Sequence, residues 1–495
     1  MSARILLIDP PFYRILGFYN RYLPVGIATI GTFLKNAGQD VVVYDADCNY
    51  DPQHMDYSLL PQFYPEYLTS FHNQSHPVWV EVKDTIASVC PDIVGISIWT
   101  TYAASAFHVA KLCKEVNPNC VVVMGGPHAT VKTDEILRIS SNVDYVVRGD
   151  GEITMLELAR QISSGENSVS SILGLSFRNK AVIVHNPLRP AVKELDQFPF
   201  PDRSLLMNEN RYTSEDMGLI MSSRGCPYAC SYCATHTRRV SYRSIDHVVD
   251  EIKLVKEKYG TILFSFKDDS FTVNKERVDR FCDRLLAERL NIHWECNTRV
   301  DLIDENLLRK MKKAGCNSIK VGVESGSERI LKGMNKQITH EQVKNAANIF
   351  RKVGIHWTGY FMMGVPGETT EEIYQTLDLM YEIQPDFASI SVYEPFPGTP
   401  MFTEGLEKKL VKHEMSLEDF YTTLPDHYYK ANPRRQVETI GEDEFIALAE
   451  EMKRKFHVYN KSFKRLLHRG KSRIDLYGSQ PMLLCSDIKK YLSWR

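Results

Sequence analysis

Three closely spaced cysteines carry the strongest chemical signal in the sequence. Cys226, Cys230 and Cys233 are separated by three and then by two residues in the stretch SSRGCPYACSYC. Three thiolates on one loop can each bind one iron of a [4Fe–4S] cube and leave the fourth iron open. An open coordination position is typical of a catalytic metal site rather than a closed structural one. Zinc is the alternative, and His236 could then supply its fourth ligand.

The composition predicts a folded protein of several domains. The chain has 495 residues, and at roughly 150 residues per domain this length favours about three domains. The net charge of −2 argues against nucleic-acid binding by charge alone. No run of 18 apolar residues exists to span a bilayer, and the start MSARILLIDPP resembles a first strand more than a signal peptide. Bunching among eleven cysteines favours metal ligation over disulfides, which predicts a reducing, cytoplasmic location.

The first third alternates short apolar runs with helical patterns. Because the runs are apolar throughout, they are typical of strands covered on both faces, and the alternation predicts a doubly wound parallel α/β sheet. The predicted strands are 4–9, 41–45, 93–98, 121–125 and 145–149, and the predicted helices are 25–36, 80–89, 103–116 and 133–139.

Candidate binding residues follow these strands, at the edge where parallel sheets bind ligands. They are Asp9 and Pro10 after the first strand, Ser97, Trp99 and Thr100 around the end of the third, Gly125, Gly126 and His128 after the fourth, and Gly151 and Glu152 after the fifth. Paired glycines let the backbone approach a large flat ligand closely. No G-x-G-x-x-G stretch follows the first strand, so the dinucleotide interpretation is weak.

This set resembles the cobalamin-binding domain, in which a serine loop and a Gly-Gly pair line the channel for the nucleotide tail. The Asp-x-His-x-x-Gly motif of that family is missing, because Asp9 is followed by Pro-Pro-Phe-Tyr. The resemblance therefore implies a cobalt without a histidine ligand from that motif, with His128 as a weaker substitute. The alternative is that 125–128 is simply a sharp strand-to-helix turn.

The middle of the chain predicts a partial β/α barrel of about six strands, because five predicted strands end in polar or glycine-rich residues and alternate with helical segments. The strands are 262–267, 293–297, 318–323, 358–363 and 389–393, and the helices are 245–258, 275–289, 305–314, 341–353 and 371–383. Asp269, Arg299, Glu324 and Ser325 lie just after these strands.

The cysteine spacing, with Tyr232 before the third cysteine, resembles the signature of the radical S-adenosylmethionine (SAM) superfamily. That resemblance implies that the open iron chelates the methionine end of SAM and that Tyr232 lies near the adenine. Glu324 and Ser325 lie in a stretch that resembles the G-x-E-S-G sequence, which contacts SAM in this superfamily. Asp269 and Arg299 are further candidates for the same ligand.

The order of the two regions resembles the cobalamin-binding radical SAM enzymes over about residues 1–405. The predicted divisions are a cobalamin domain at 1–170, a linker at 171–212, the barrel at 213–407 and a mainly helical segment at 408–495. The resemblance implies three cofactors: a [4Fe–4S] cluster, SAM and cobalamin. It also implies a small-molecule or lipid-like substrate, an external electron donor such as flavodoxin or ferredoxin, and no nucleic-acid partner.

Methylation is the activity that this resemblance favours. SAM would be cleaved reductively to a 5′-deoxyadenosyl radical, an sp3 carbon would lose hydrogen, and methylcobalamin would supply the methyl group. The main alternative is an oxidative cyclase or ring-rearranging enzyme that uses the same cofactors without methyl transfer. A methylthiotransferase acting on RNA would carry a further cysteine cluster and a basic tail domain, neither of which is visible. A non-catalytic cobalamin or redox sensor would not need the carboxylates and glycines at the barrel strand ends.

Three further features allow two interpretations each. Cys296 lies at a barrel strand end and is either a weak catalytic candidate or a core residue. The insert 49–78 is either a functional lid or a plain surface loop. Residues 445–467 are helical by pattern, with an apolar stripe and nine Lys or Arg between 453 and 473. The segment 445–473 could contact an anionic membrane, which would favour a lipid or porphyrin-like substrate, or it could dock on the barrel.

Overall fold

Two parallel sheets organise the chain. The computed structural model describes residues 3–18, 22–49, 57–165, 168–235, 237–432, 434, 437–472, 474–479, 484–485 and 488. Within these ranges, no helix has both the length and the apolar character needed to cross a bilayer.

The first sheet has seven strands in the order β2-β1-β3-β4-β5-β6-β7. Its strands are β1 (Arg4–Asp9), β2 (Asp40–Asp45), β3 (Ile93–Ser97), β4 (Val121–Gly125), β5 (Tyr145–Val147), β6 (Leu175–Asn179) and β7 (Val182–His185). Its helices are α1 (Val25–Asn36), α2 (Tyr64–His72), α3 (Pro77–Val89), α4 (Ala103–Val116), α5 (Pro127–Val131), α6 (Thr133–Ile139) and α7 (Glu152–Ser164). The first five strands are parallel, which confirms the predicted fold class. Their order reverses between β1 and β3, and that reversal opens a crevice at the carboxyl edge.

Two strands that the sequence assigned to the linker belong to the first sheet. β6 pairs with β5, and β7 pairs with β6, both in antiparallel fashion. The rest of the linker ties the sheet to the barrel through the buried Arg203. Its guanidinium donates to Glu251 Oε1 at 2.9 Å and to the carbonyl of Met217 at 2.8 Å. The linker is therefore packed into both halves of the molecule.

The second sheet is a six-stranded partial barrel in the order β15-β14-β13-β12-β11-β8, with every pair parallel. Its strands are β8 (Leu219–Ile220), β11 (Leu263–Phe266), β12 (His293–Thr298), β13 (Cys316–Glu324), β14 (His356–Met363) and β15 (Phe387–Val392), while β9 (Ser223–Arg224) and β10 (Ser241–Tyr242) form a separate hairpin. The accompanying helices are α8 (Ile245–Tyr259), α9 (Lys275–Glu288), α10 (Glu305–Lys313), α11 (Glu328–Gly333), α12 (His340–Val353) and α13 (Thr370–Ile383). The barrel of about six strands is as predicted.

Side chains alternate along the barrel strands, so one face packs on helices and the other lines the interior. In β12 the buried residues are Trp294, Cys296 and Thr298, whereas the residues between them are partly exposed. Cys296 lies with Cys282 and Cys316 in the apolar layer of the barrel. Cys296 is therefore a core residue, the second of its two interpretations, because its thiol lies away from the polar interior face.

The remaining helices are α14 (Pro400–Glu407), α15 (Leu417–Thr422), α16 (Glu442–Lys461), α17 (Phe463–Ser472) and α18 (Ile474–Ser479). Residues 410–429 join the apolar core of the first sheet, through Phe420 and Tyr429 among others. Helix α16 instead packs on the barrel, where the ring of Phe456 meets that of Phe361. The region after 408 thus covers both halves of the molecule.

The two ambiguous segments resolve in part. The described portion of the insert is helical, with a 3-10 segment Tyr57–Phe63 leading into α2. Met452, Phe456 and Tyr459 of the predicted stripe are buried against the barrel, as docking requires. The helix is interrupted at Ser462, and Phe463 beyond it is 75% exposed, so docking covers the first part of the stripe only. Arg473 lies outside the described residues.

Asn460 joins helix α16 to strand β15 through hydrogen bonds, and its role can be tested. Its side-chain amide donates to the carbonyl of Ala388 at 2.7 Å and accepts from the amide of the same residue at 2.9 Å, which satisfies the open edge of β15. Asn460→Ala should lower the free energy of unfolding by about 1–3 kcal/mol, because both buried backbone groups lose their partner. The exposed Asn348→Ala is the matched control. Equal midpoints of urea unfolding for the two variants would contradict this role.

Candidate active site

The cysteine loop is held by the β9–β10 hairpin. Gly225 stands directly before Cys226 with φ +91°, and a Cβ there would lie 2.4 Å from the carbonyl oxygen of Arg239. Only glycine fits this backbone conformation and this close approach. The amide of Cys226 donates to the carbonyl of Thr237 at 3.1 Å, which closes the loop. The hairpin therefore fixes where the three thiols begin.

The three thiols are free and share one charged environment. Cys230 is buried, and Cys226 and Cys233 are half-buried. Burial raises the pKa of Cys226, and the charges of Asp269 and of the other two cysteines raise it further. Arg299 Nη1 lies 3.7 Å from the sulfur of Cys230. Asp269 and Arg299, both predicted for the site, thus lie beside the cysteines.

These residues fit an anionic iron–sulfur cluster. Three thiols on one loop supply one ligand to each of three irons, and a guanidinium beside one sulfur compensates the negative charge. Within the described part of the chain, no three His, Cys, Asp or Glu side chains are close enough to hold a single metal ion together. His236, the fourth ligand in the zinc alternative, lies outside the described residues.

A buried triad of polar side chains lies next to the cysteine loop. Glu324 Oε1 accepts from Tyr232 Oη at 2.8 Å and from Lys336 Nζ at 2.7 Å, and Lys336 lies 3.0 Å from the same hydroxyl. Glu324 adopts φ +67°, and a Cβ at Gly322 would lie 2.1 Å from its carboxylate. The glycine two residues before Glu324 therefore makes room for the folded-back side chain.

Sequence reasoning named two members of this triad and missed the third. Lys336 lies in the loop after α11, far from any barrel strand end, so strand-end logic could not find it. Arg299 Nη2 donates to the backbone carbonyl of Lys336 at 2.6 Å, and this bond links the triad to the cysteines. The only available signal was a lysine in a short polar loop following the Glu324–Ser327 stretch.

Two other residues that were predicted for the barrel site, Ser325 and Asp269, differ in their surroundings. The hydroxyl of Ser325 lies 3.3 Å from that of Thr376 and accepts the amide of Ser327 at 3.1 Å, so this side chain secures its own turn. Of the two aspartates after β11, Asp268 is buried and accepts from Ser222 Oγ at 2.9 Å, whereas Asp269 is exposed. Asp268 braces the start of the cysteine loop and leaves Asp269 beside Cys226.

The carboxyl edge of the first sheet carries three neighbouring carboxyl groups, of which Asp45 and Asp47 are buried and Asp9 is partly buried. Burial and the neighbouring Asp45 and Asp47 raise the pKa of Asp9, while a hydrogen bond from Ser97 lowers it. Burial raises the pKa of Asp45 to about 6 and that of Asp47 to about 7. Asp47 Oδ1 accepts the amide of Phe12 at 2.6 Å, so the loop after β1 is folded onto this cluster. Asp9 and Ser97 are thus brought together as candidates, and Asp45 and Asp47 were missed.

Of the candidates after β3 and β4, the partly buried Thr100 contacts the buried His128, whereas the side chain of Trp99 is exposed. Thr100 Oγ1 lies 3.0 Å from Nδ1 of His128, whose ring is 1% exposed. Burial lowers the pKa of His128 to about 3, so the imidazole is neutral. Gly126 has φ +111°, and a Cβ there would lie 3.0 Å from the carbonyl of Ile98. Trp99 is 51% exposed at the same edge.

The last candidates contact the barrel directly. Arg224, the residue before Gly225, donates to Asp150 Oδ1 at 3.0 Å and to Glu152 Oε1 at 2.5 Å. Gly151 lies between these two acids, and a Cβ there would lie 2.9 Å from Ile30. The ion pairs join the carboxyl edge of the first sheet to the cysteine loop.

The two carboxyl edges therefore face each other. A second link runs from Lys267, just after β11, to the ring of Tyr22, with 4.6 Å between the ammonium and the ring centroid. Pro10, predicted at this edge, is buried, and Gly125 begins the turn before α5. Open α/β sheets and β/α barrels both bind ligands at their carboxyl ends, so we expect the ligands of the two halves to bind next to each other.

Comparison with known proteins defines the class of this fold and site. The family model described as Radical SAM superfamily matches residues 220–380, and the model described as B12 binding domain matches residues 67–159. The first covers the cysteine loop and the barrel strands from β11 to β14, and the second covers three strands of the first sheet, from β3 to β5.

Relatives and solved structures agree with these matches. An uncharacterized methyltransferase, PH0819, from Pyrococcus horikoshii is 34% identical over 70% of this chain and 78% of its own length. The anaerobic magnesium-protoporphyrin IX monomethyl ester cyclase of Rubrivivax gelatinosus is 31% identical over 70% of this chain and 63% of its own. The structure of the radical SAM methyltransferase TsrM from Kitasatospora setae, with cobalamin and a [4Fe–4S] cluster bound, superposes with a TM-score of 0.66 at 20% identity, over 84% of this chain and 80% of that one.

The chain belongs to the cobalamin-binding radical SAM enzymes. The expected family and the expected class of enzyme are therefore confirmed, as is the cofactor set at the level of the family. The relatives include methyltransferases and cyclases, so the comparisons show the family without distinguishing between these two reactions. The individual site residues remain predictions from position and geometry.

The Arg224 bridge generates a test of how the two halves are joined. Arg224→Ala should lower the free energy of unfolding by about 2–4 kcal/mol, because it leaves the buried carboxylate of Glu152 without its cation. Arg224→Lys should lose less stability, because a cation then remains beside Asp150 and Glu152. Arg309→Ala, which removes an exposed pair with Glu305, should cost at most about 1 kcal/mol. Equal urea midpoints for Arg224→Ala and Arg309→Ala would contradict the bridge.

Proposed function

We propose that this enzyme is a methyltransferase that adds a methyl group to an sp3 carbon of a small molecule. The observation that supports it best is the position of the cysteine loop, which Arg224 ties to the carboxyl edge of the cobalamin-type sheet. With its cofactors bound, such a site would supply an electron from the cluster to SAM, a 5′-deoxyadenosyl radical for hydrogen abstraction, and a methyl group from cobalamin.

The barrel residues have separate tasks in this proposal. Cys226, Cys230 and Cys233 would ligate the cluster, and Arg299 would stabilise its negative charge. The Glu324 carboxylate would bind the amino group of SAM, and Lys336 would hold that carboxylate in position. Holding the two reactants in fixed positions is the main protein contribution to such chemistry.

The first sheet would hold cobalamin at its carboxyl edge. The proposed contacts are Asp9, Pro10, Ser97, Trp99, Thr100, Gly125, Gly126, Gly151 and Glu152. Gly126 lets the backbone pass close to Ile98, which leaves an edge without side chains for a large flat ligand. His128 is a poor cobalt ligand because its buried ring is bonded to Thr100 and packed near Phe420. We therefore propose that no histidine ligates the lower face.

An oxidative cyclase is the second candidate. It is favoured by the 31% identity to a magnesium-protoporphyrin IX monomethyl ester cyclase, whose own length this chain covers to 63%. The two activities use the same cofactors and the same site residues. They differ in whether the methyl group of SAM reaches the product.

Deuterated methyl-SAM separates the two candidates. With the anaerobically reconstituted enzyme and its substrate, a methyltransferase gives product that is heavier by the deuterated methyl group, because that group passes through cobalamin. Mass spectrometry of product and of 5′-deoxyadenosine measures both outcomes. Unlabelled product formed together with 5′-deoxyadenosine would contradict methylation and support the cyclase.

The partners of this enzyme are also part of the proposal. We infer an external low-potential donor such as flavodoxin or ferredoxin, because the described fold includes no second redox domain. The cations after Lys453 and the exposed Phe463 and Leu467 favour contact with an anionic bilayer. In that case a lipid-like or porphyrin-like substrate is favoured.

Membrane contact is tested by sedimentation. The protein should pellet with phosphatidylglycerol vesicles at low salt and be released as salt rises, because screening weakens the attraction. Phe463→Ser with Leu467→Ser should reduce the bound fraction, whereas neutral phosphatidylcholine vesicles should bind little. The same absence of binding at every salt concentration would remove the idea.

A further inference from the structure

Among the residues that the structure describes, Lys430 is a largely buried lysine whose side chain has no partner. Lys430 is 6% exposed, and among the described residues its ammonium group has no hydrogen-bond acceptor and no ion-pair contact, although the nitrogen keeps some accessible surface. Its backbone is fixed, because an isolated bridge pairs it with Val411 and its amide donates to the carbonyl of His427 at 3.0 Å. Burying an ammonium group without a partner is costly, so a purely structural role does not explain it.

A carboxyl group lies close to this lysine without binding it. Glu394 follows β15, and its charge and that of Lys430 interact, yet the two side chains share neither a hydrogen bond nor an ion-pair contact. Burial, opposed by the charges of Lys430 and Lys453 and assisted by that of Asp426, raises the pKa of Glu394 to about 7. Both members of this near-pair therefore keep unused hydrogen-bonding capacity.

The near-pair lies where the two halves and the insert meet. The 3-10 segment Tyr57–Phe63 of the insert contacts β15, and the turn Pro425–His427 contacts the segment Thr100–Tyr102 after β3. The phenol of Tyr64, on helix α2, is 3% exposed and feels the charges of Glu394 and Asp426. Segments from every part of the chain thus converge beside the carboxyl ends of both sheets.

We propose that Lys430 and Glu394 bind the substrate and that the substrate carries an anionic oxygen group. Lys430 donates to a carboxylate or phosphate oxygen of the bound molecule. Glu394 accepts from a hydroxyl or amine of the same molecule. This inference rests on the proposed function only in that it takes the shared edge as the substrate site.

Thermal shift with simple anions tests the site without knowledge of the substrate. The cluster-loaded and cobalamin-loaded enzyme is titrated with inorganic phosphate and, separately, with acetate, at ionic strength held constant with sodium chloride. A ligand that binds the folded state raises the melting temperature with its concentration, so a saturable rise is expected in the wild type. The anion that gives the larger rise identifies the group as phosphate or carboxylate.

Variants assign the effect to the near-pair. Lys430→Met should weaken anion binding by about tenfold or more, because it removes a charge-assisted hydrogen bond. Lys430→Arg should retain most of the binding, and Glu394→Gln should strengthen it by removing a competing carboxylate. Lys344→Met, which removes an exposed lysine paired with Glu382, should leave the titration unchanged.

Two results would overturn the inference. One is a wild-type titration without a saturable rise for either anion, and the other is an equal rise in Lys430→Met. If Lys430→Met does not fold, equal titrations of the wild type, Lys430→Arg and Glu394→Gln would also overturn the inference. Failure of the methyl-transfer proposal would appear elsewhere, as unlabelled product or as no 5′-deoxyadenosine from the wild type.

Discussion

The fixed spacing of three thiols on one short loop is the constraint on which the rest of the structure depends. A cube that is held by three protein ligands keeps one iron for a substrate-like ligand, and a loop that moved would lose that position. Here the β9–β10 hairpin, the left-handed backbone at Gly225 and the buried Asp268 fix the loop from three sides. The barrel strands then place Arg299 and Glu324 around it.

The second requirement is that the two halves keep a fixed position relative to each other. Arg224 is adjacent to the cysteine loop in sequence and bonded to the first sheet in space, so its side chain helps to fix the two carboxyl edges relative to each other. The linker is packed through the buried Arg203–Glu251 pair, and the region after 408 covers both halves. The proposed transfer of a methyl group from cobalamin would need such a fixed distance, because small misplacements lower the rate of a reaction steeply.

Much of the fold could be predicted from the sequence because its signals are local. Apolar runs followed by helical periodicity gave the first five strands and the barrel strands to within a few residues, and cysteine spacing located the site. What could not be predicted depends on contacts between distant segments. Lys336 and Lys430 lie in loops, and only the folded chain brings them beside Glu324 and Glu394. The interruption at Ser462, which ends the docked part of the C-terminal stripe, is equally invisible in the periodicity.

The candidate residues that the sequence identified fall into two groups, according to what their side chains contact. Glu324 and Tyr232 share a hydrogen bond, and Arg299 reaches Cys230. Cys296 packs against apolar neighbours, and Ser325 secures a turn. Position after a strand is thus enough to nominate a residue, whereas its direction depends on the pleat and the turn that follow.

The most direct test of the account is Mössbauer and electron paramagnetic resonance spectroscopy of the anaerobically reconstituted enzyme, with and without SAM. The account predicts about four irons per chain in a [4Fe–4S] cluster. It also predicts that SAM alters the signal of a single iron, and that a Cys226, Cys230 or Cys233→Ala variant loses the cluster. Wild-type protein that binds only zinc, or a cluster that is insensitive to SAM, would contradict it.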